Sequence, residues 1–249
     1  MTVMNKLTFT YVTVLLVALG VQQAQAAIAL DRTRVVFNGG DRSASLGISN
    51  ENKQLPYLAQ GWIEDAQGKK ITSPLTVLPP VQRLEAGARS QIKIQGLPAT
   101  HLLTQDRETL FFFNLREIPP RSDKPNTLQL ALQTRIKLFY RPQALAVAHD
   151  AKPWQEQLTL TKQGDRYRVN NPSAYFVTLV DGGRRVNGPG ASDFEPLMVA
   201  PKSSGLLNVG AAALGGSPVL TYVNDYGGRP QLQFSCNGEH CTATPIKPR

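Results

Sequence analysis

The longest regular pattern in the chain is TLQLALQTRIKLFYRP, residues 127–142. Apolar residues recur at every second position through Leu128, Leu130, Leu132, Ile136, Leu138 and Tyr140, with Thr134 keeping the phase. Gln129, Gln133, Arg135, Lys137 and Arg141 take the other face. A period of two is the mark of an extended strand with unlike faces. Strands in globular proteins usually run about five or six residues, so a strand over about 127–140 is more than twice the ordinary length, with cations gathered toward its far end. Its leucine row either lines the protein's own core, as alternating residues ordinarily do, or serves something outside it.

Shorter runs of the same kind fall at 35–37, 45–49, 57–63, 91–94 and 110–118, with Gly, Pro, Asn and Asp between them. That spacing predicts an antiparallel sandwich. After Arg141-Pro142 the pattern resets, and residues 143–153 lack strong alternation. Runs at 158–161 and 167–169 then flank Lys162-Gln163-Gly164-Asp165, and 175–180 leads into Asp181-Gly182-Gly183; both read as hairpins. Further strands fit 206–209, 219–223 and 231–235, and no stretch carries a helical period. The expectation is an all-β chain of two sandwiches meeting near residue 143, whose short connection makes them an angled pair rather than beads on a flexible string.

The opening residues do not belong to this pattern. Lys6 is the one charge before an apolar run over 7–21, and Ala24-Gln25-Ala26 supplies a small-x-small cleavage pattern, so 1–26 reads as an export signal with the mature chain starting at Ala27. A membrane anchor is the alternative, but the run falls short of the ~20 apolar residues a spanning helix needs. Stable membrane insertion is therefore not expected.

Export gives the two cysteines a meaning. In FSCNGEHC, Asn237-Gly238 is a turn signal able to bring Cys236 and Cys241 within bonding distance, and a disulfide is the favoured reading. Zinc is the alternative because His240 lies between them, but two thiols and one imidazole make an incomplete set, so no metal is expected.

The formal charge of +9 raises nucleic acid as a partner. Lys and Arg are scattered, however, with no run longer than two and no aromatic-basic cluster, so nucleic-acid binding is not expected. Catalysis has as little support. His101, His149 and His240 sit in loop-like sequence, Glu64-Asp65 would face opposite ways on a strand, and the nucleophile-elbow, zinc-protease, phosphate-loop and dinucleotide motifs are all missing. Asn171 precedes Pro172, so the glycosylation motif fails as well. The chain reads as a binder, not an enzyme, with no cofactor.

LTQDRETLFFFNLREIPP, residues 103–120, followed by LQLALQTRIKLFYRP, resembles the signature of the periplasmic chaperones of the chaperone-usher pilus pathway. AIALDRTRVVFNGG, SNENKQLPYLAQGWIED, PPVQRLEAG and YVNDYGGRPQLQFSCNG extend the resemblance over essentially the whole mature chain. Thr104 departs from it, standing where the family usually has Pro, Ala or Asn.

The resemblance implies two immunoglobulin-like β-sandwich domains in a boomerang: an N-terminal chaperone domain over 27–143 and a C-terminal domain over 144–249. It implies that the last strand of the first domain is lent to a pilus subunit lacking its own final strand. Leu128, Leu130 and Leu132 would then fill the subunit's groove, while Ile136 and Leu138 stay in the chaperone's core. Arg34 and Lys137 match the pair that grips the subunit's C-terminal carboxylate. Glu108, Arg141 and Asp225 match an interdomain charge network. Arg83, Ile118 and Pro120 match positions associated with docking on the outer-membrane usher. The short loop over 119–127 resembles the branch that builds rod-like pili with adhesive tips. Implied partners are pilus subunits, a tip adhesin among them, and the usher in the periplasm, with a second copy of the free protein as a further candidate.

Two other classes compete. A pilus subunit or adhesin should carry an alternating N-terminal donor extension and an aromatic-rich C-terminal strand, whereas this chain ends in the unpaired-looking TPIKPR. An exported hydrolase would need a cleft holding a paired acid and base.

Overall fold

The computed structural model describes residues 26–123, 125–148 and 150–246. The expected export signal up to Gln25, His149 and the last three residues of the C-terminal tail lie outside them. Among the described residues, no helix is long and apolar enough to cross a membrane.

Among the described residues the first unit contains ten strands: β1 (Ile28–Leu30), β2 (Arg34–Asn38), β3 (Ser43–Asn50), β4 (Tyr57–Glu64), β5 (Lys70–Ile71), β6 (Leu75–Leu78), β7 (Val81–Leu84), β8 (Arg89–Gly96), β9 (Thr109–Ile118) and β10 (Gln133–Arg141). They form two sheets, β1-β3-β8-β6 and β2-β10-β9-β4-β5, with β7 also paired to β4. Alternation along the strands turns one apolar face of each sheet inward. Leu46, Ile92 and Ile94 from the first sheet meet Ile63, Phe113 and Leu138 from the second in one core, all fully buried.

The second unit contains β11 (Thr159–Gln163), β12 (Arg166–Asn171), β13 (Val177–Gly183), β14 (Leu197–Val199), β15 (Ser203–Gly210), the short helix α1 (Ala211–Leu214), β16 (Val219–Tyr222), β17 (Gln231–Asn237) and β18 (His240–Pro245). Its strands run in a single ladder, β14-β13-β16-β17-β18-β11-β12-β15, whose two end strands lie beside each other. The sheet thus wraps one core, in which Leu160, Val169, Leu179, Leu207 and Phe234 are fully buried.

Three expectations are overturned. The strand expected over about 127–140 begins only at Gln133. Its ladder with β9 starts at Gln133 opposite Arg116, extended by one bond from the Glu117 N–H to the Leu132 carbonyl. Beyond Ile118 the facing chain is Pro119-Pro120, which has no N–H to donate, so the ladder stops for want of partners. Asp181-Gly182-Gly183, expected to turn, lies inside β13 at a register shift against β16. Gly183 is there for close approach: a Cβ on it would stand 2.8 Å from the Pro189 carbonyl oxygen. The C-terminal tail is not unpaired at its start, since Thr244 and Pro245 lie opposite Gln233 and Leu232.

At the end of β17 the chain reverses with Asn237 opposite His240, which sets Cys236 across from Cys241 with Cα atoms 3.9 Å apart, joined by a disulfide. Both sulfurs are committed to that bond.

Candidate functional site

One apolar row, running along β10 and the residues just ahead of it, serves two different environments. From Ile136 through Leu138 to Tyr140 it is buried in the core of the first unit. Upstream, the same alternation leaves Leu128 82%, Leu130 66% and Leu132 41% exposed. The two edges of the segment are covered unequally. β9 lines one edge from Gln133 onward, but β2 lines the other only from Lys137 onward, where it joins in parallel with Arg34 opposite Lys137. The edge on the β2 side is therefore open over 128–136.

The polar face of the segment is pinned where the ladder begins. The Gln133 side-chain amide donates to Asn114 Oδ1 at 2.9 Å. The Arg135 guanidinium donates to Glu64 at 2.9 Å and lies 3.4 Å from the centre of the Phe112 ring. Residues 133–136 are thus held straight against β9 while their far edge stays unpaired.

Two cations mark the end of that open edge. Arg34, first residue of β2, is partly buried and donates from Nη1 to the Val223 carbonyl of the second unit at 3.1 Å, while its buried Nε has no partner. Burial pulls the Arg34 and Lys137 side chains below their ordinary pKa values, and the neighbouring Arg34 charge lowers Lys137 further. Among the described residues neither makes an ion pair. The Asp225 and Glu108 charges support Arg34 from a distance, but two adjacent, partly desolvated cations outside any ion pair are chemically suited to an anion with two oxygens, because each favourable contact relieves both desolvation and mutual repulsion.

The two units are joined beside this pair by a buried network. Arg141 reaches Glu108 at 2.7 Å and Asp225 at 2.7 Å, and Glu108 also accepts the Phe176 N–H at 2.8 Å. Burial raises the Glu108 carboxyl above the usual carboxylate range, against the pull of Arg141. Desolvation opposes the Arg141 charge, but the hydrogen bond to Asp225 and the charges of Glu108 and Asp225 outweigh it and leave its pKa raised. The guanidinium also lies 4.9 Å from the Trp154 ring centre and 5.0 Å from that of Tyr175, and those two rings stack on each other. Phe139 stacks on Phe176 across the junction with ring centres 5.5 Å apart.

Sequence reasoning passed over these aromatic partners. One signal was available: Phe139 is apolar on the otherwise polar face of the alternation, as a residue needing a second cover would be.

The residues matched to usher docking lie along the same sheet, and the Pro120 carbonyl accepts a hydrogen bond from the Gln129 side chain of the leucine segment. Leu58 of β4 pairs with Arg83 of β7 on one side and Ile118 of β9 on the other, which places the three in one row. Arg83 is exposed and bonded to Glu85 at 2.7 Å, while Ile118 and Pro120 are half-buried.

Residues 27–146 match the family model described as pili and flagellar-assembly chaperone, PapD N-terminal domain. Residues 153–234 match that of the pili assembly chaperone PapD, C-terminal domain. The chain belongs to the PapD family of pilus-assembly chaperones. Its function is the family's, a chaperone of chaperone-usher pilus assembly. This PapD-family chain is 51% identical over 225 residues to chaperone protein PapD of Escherichia coli, with 90% of this chain and 92% of that one covered. It is 52% identical over 218 residues to the probable fimbrial chaperone YfcS of Escherichia coli strain K12, covering 88% and 86%. Among solved structures, the periplasmic chaperone SfaE superimposes with a TM-score of 0.67 at 30% identity, over 83% of this chain and 98% of that one. The SafB chaperone of Salmonella enterica, solved in complex with SafA pilin, matches with a TM-score of 0.70 at 26% identity, over 85% and 97%.

Proposed function

We propose that this PapD-family chaperone captures pilus subunits by pairing the open edge over 128–136 with a subunit strand whose C-terminal carboxylate is bound by Arg34 and Lys137. The observation that carries the reading is that β2 begins opposite Lys137, where the open edge ends. A guest strand in line with β2 would stop at Arg34. With its carboxyl end there, it must run parallel to β10, as β2 does. Its main chain satisfies the unpaired edge, and Leu128, Leu130 and Leu132 enter the gap left by the subunit's missing strand.

The magnitudes suffice. Fully burying one Leu is worth ~1.5 to 3 kcal/mol, so three supply about 5 to 9 kcal/mol before ordering costs. The anchored carboxylate sets register, since a slip of one residue turns every leucine to the wrong face.

In this reading residues 1–26 export the chain to the periplasm, 27–143 form the subunit-holding domain and 144–249 the second domain. Glu108, Arg141 and Asp225 fix the angle between them. Arg83, Ile118 and Pro120 face the usher, which receives the subunit, a tip adhesin among the clients. Complex formation by the SafB relative with a pilin supports the choice of client. The work is holding and release, with no chemical step and no cofactor.

Purification of the tagged protein from periplasm, with mass spectrometry of what accompanies it, tests the reading. Arg34→Ala and Lys137→Ala should fold normally and recover few or no subunits. Wild-type recovery with either variant would refute the carboxylate anchor.

A further inference from the structure

A loop of the second domain reaches the end of the guest-strand path. Residues 223–230, joining β16 to β17, form a compact turn around Asn224. Its Oδ1 accepts the Tyr226 and Gly228 N–H groups at 3.1 and 2.8 Å, and backbone bonds from Gly227 to Asn224 and from Asn224 to Gly228, each 3.0 Å, close the turn. Gly227 has φ +84°, and a Cβ there would stand 2.8 Å from Thr33 Oγ1, so the loop is seated against the residue preceding Arg34. At the root of the loop, the Val223 carbonyl accepts the Arg34 hydrogen bond.

On this loop Tyr226 is 90% exposed and lines one cleft together with Thr33, Arg34 and Asp225. A tyrosine ring offers about 150–250 Å² of mostly apolar contact area. Mounted on a turn whose backbone is already ordered, it has only its own side-chain torsions left to lose on binding, which keeps the ordering cost of such a contact small.

We infer that Tyr226 is a specificity-determining contact for the last residue of the client, packing its ring on an apolar or aromatic side chain while Arg34 and Lys137 hold the carboxylate of that same residue. This rests on the proposed carboxylate anchoring. The cations recognise that a chain ends there, and the ring distinguishes which residue ends it. A terminal alanine leaves the ring in water, whereas a terminal phenylalanine covers it.

The test uses two synthetic peptides of alternating Val and Ser, long enough to pair along 128–136 and identical except for a final Phe or Ala, each made with a free carboxylate and as the amide. In titration calorimetry the wild-type protein should bind the Phe-ended acid about 3- to 10-fold more tightly than the Ala-ended acid, as expected for one aromatic contact. Tyr226→Ala should bind both acids alike, at the wild-type level for the Ala-ended peptide, and Tyr226→Phe should keep the preference. A preference that survives in Tyr226→Ala, or none in the wild type while amidation still weakens binding, overturns the role of Tyr226 alone. Equal binding of acids and amides, or no binding of any acid, overturns the carboxylate reading and this inference with it.

Discussion

Leu130 and Leu138 sit in the same row of the same segment, yet they answer to different physics. Leu138 is fully buried in the core, so Leu138→Ala should cost about 2–5 kcal/mol in denaturant unfolding, the transfer loss plus a cavity. Leu130 is 66% exposed, so Leu130→Glu should leave unfolding of the free protein within about 0.5 kcal/mol of wild type. The same change should weaken subunit capture in periplasmic co-purification, and undiminished capture would remove the leucines from the groove-filling role. The period of two was plain in the sequence, but it could not say where the row leaves the core, because that depends on where the neighbouring strands end. Arg34 and Lys137 show the same limit. Each is an ordinary cation in the sequence, and only the parallel register of β2 with β10 makes them a pair.

At the scale of the strand, alternation identified β10 and most of its neighbours, whose apolar and polar positions differ clearly. It failed where backbone partners rather than side chains decide. The expected strand over 127–140 loses its first part because Pro119-Pro120 offers no donors. The glycines of Asp181-Gly182-Gly183 look like a turn but permit close contact inside β13. The short strands β1, β5, β6, β7 and β14 escaped notice for lack of length, and β18 because its tail sequence looked unpaired. The two halves of the 128–140 segment should differ in hydrogen exchange. In the free protein the amides of 128–131 should exchange rapidly while those of 136–140 stay protected, and adding a subunit should protect the first group as well. Exchange that stays fast at 128–131 in the complex would show that these residues form no ladder with the client.

For the whole molecule, two sandwiches were legible from the density of short runs and the reset after Arg141. Their junction was legible only through the resemblance at Glu108, Arg141 and Asp225, since its aromatic components come from distant parts of the chain. Glu108→Ala removes a buried partner of Arg141 and leaves the Phe176 N–H without its acceptor. It should destabilise the protein by about 3 kcal/mol or more in thermal or denaturant unfolding, and small-angle scattering should show a wider spread of interdomain angles. An unchanged unfolding midpoint would mean that the Phe139 and Phe176 rings hold the junction without the charges. The place where β2 starts also gives the molecule a ruler. From Leu132 to Lys137 an extended chain covers about 16 Å, so in the proposed capture the spacing between a client's last groove-facing position and its terminus is metered by the length of rail ahead of a fixed buffer. Under the proposed anchoring, a pilin carrying even a short C-terminal extension should strike that buffer early, and its recovery with the chaperone from periplasm should fall well below that of the unextended pilin.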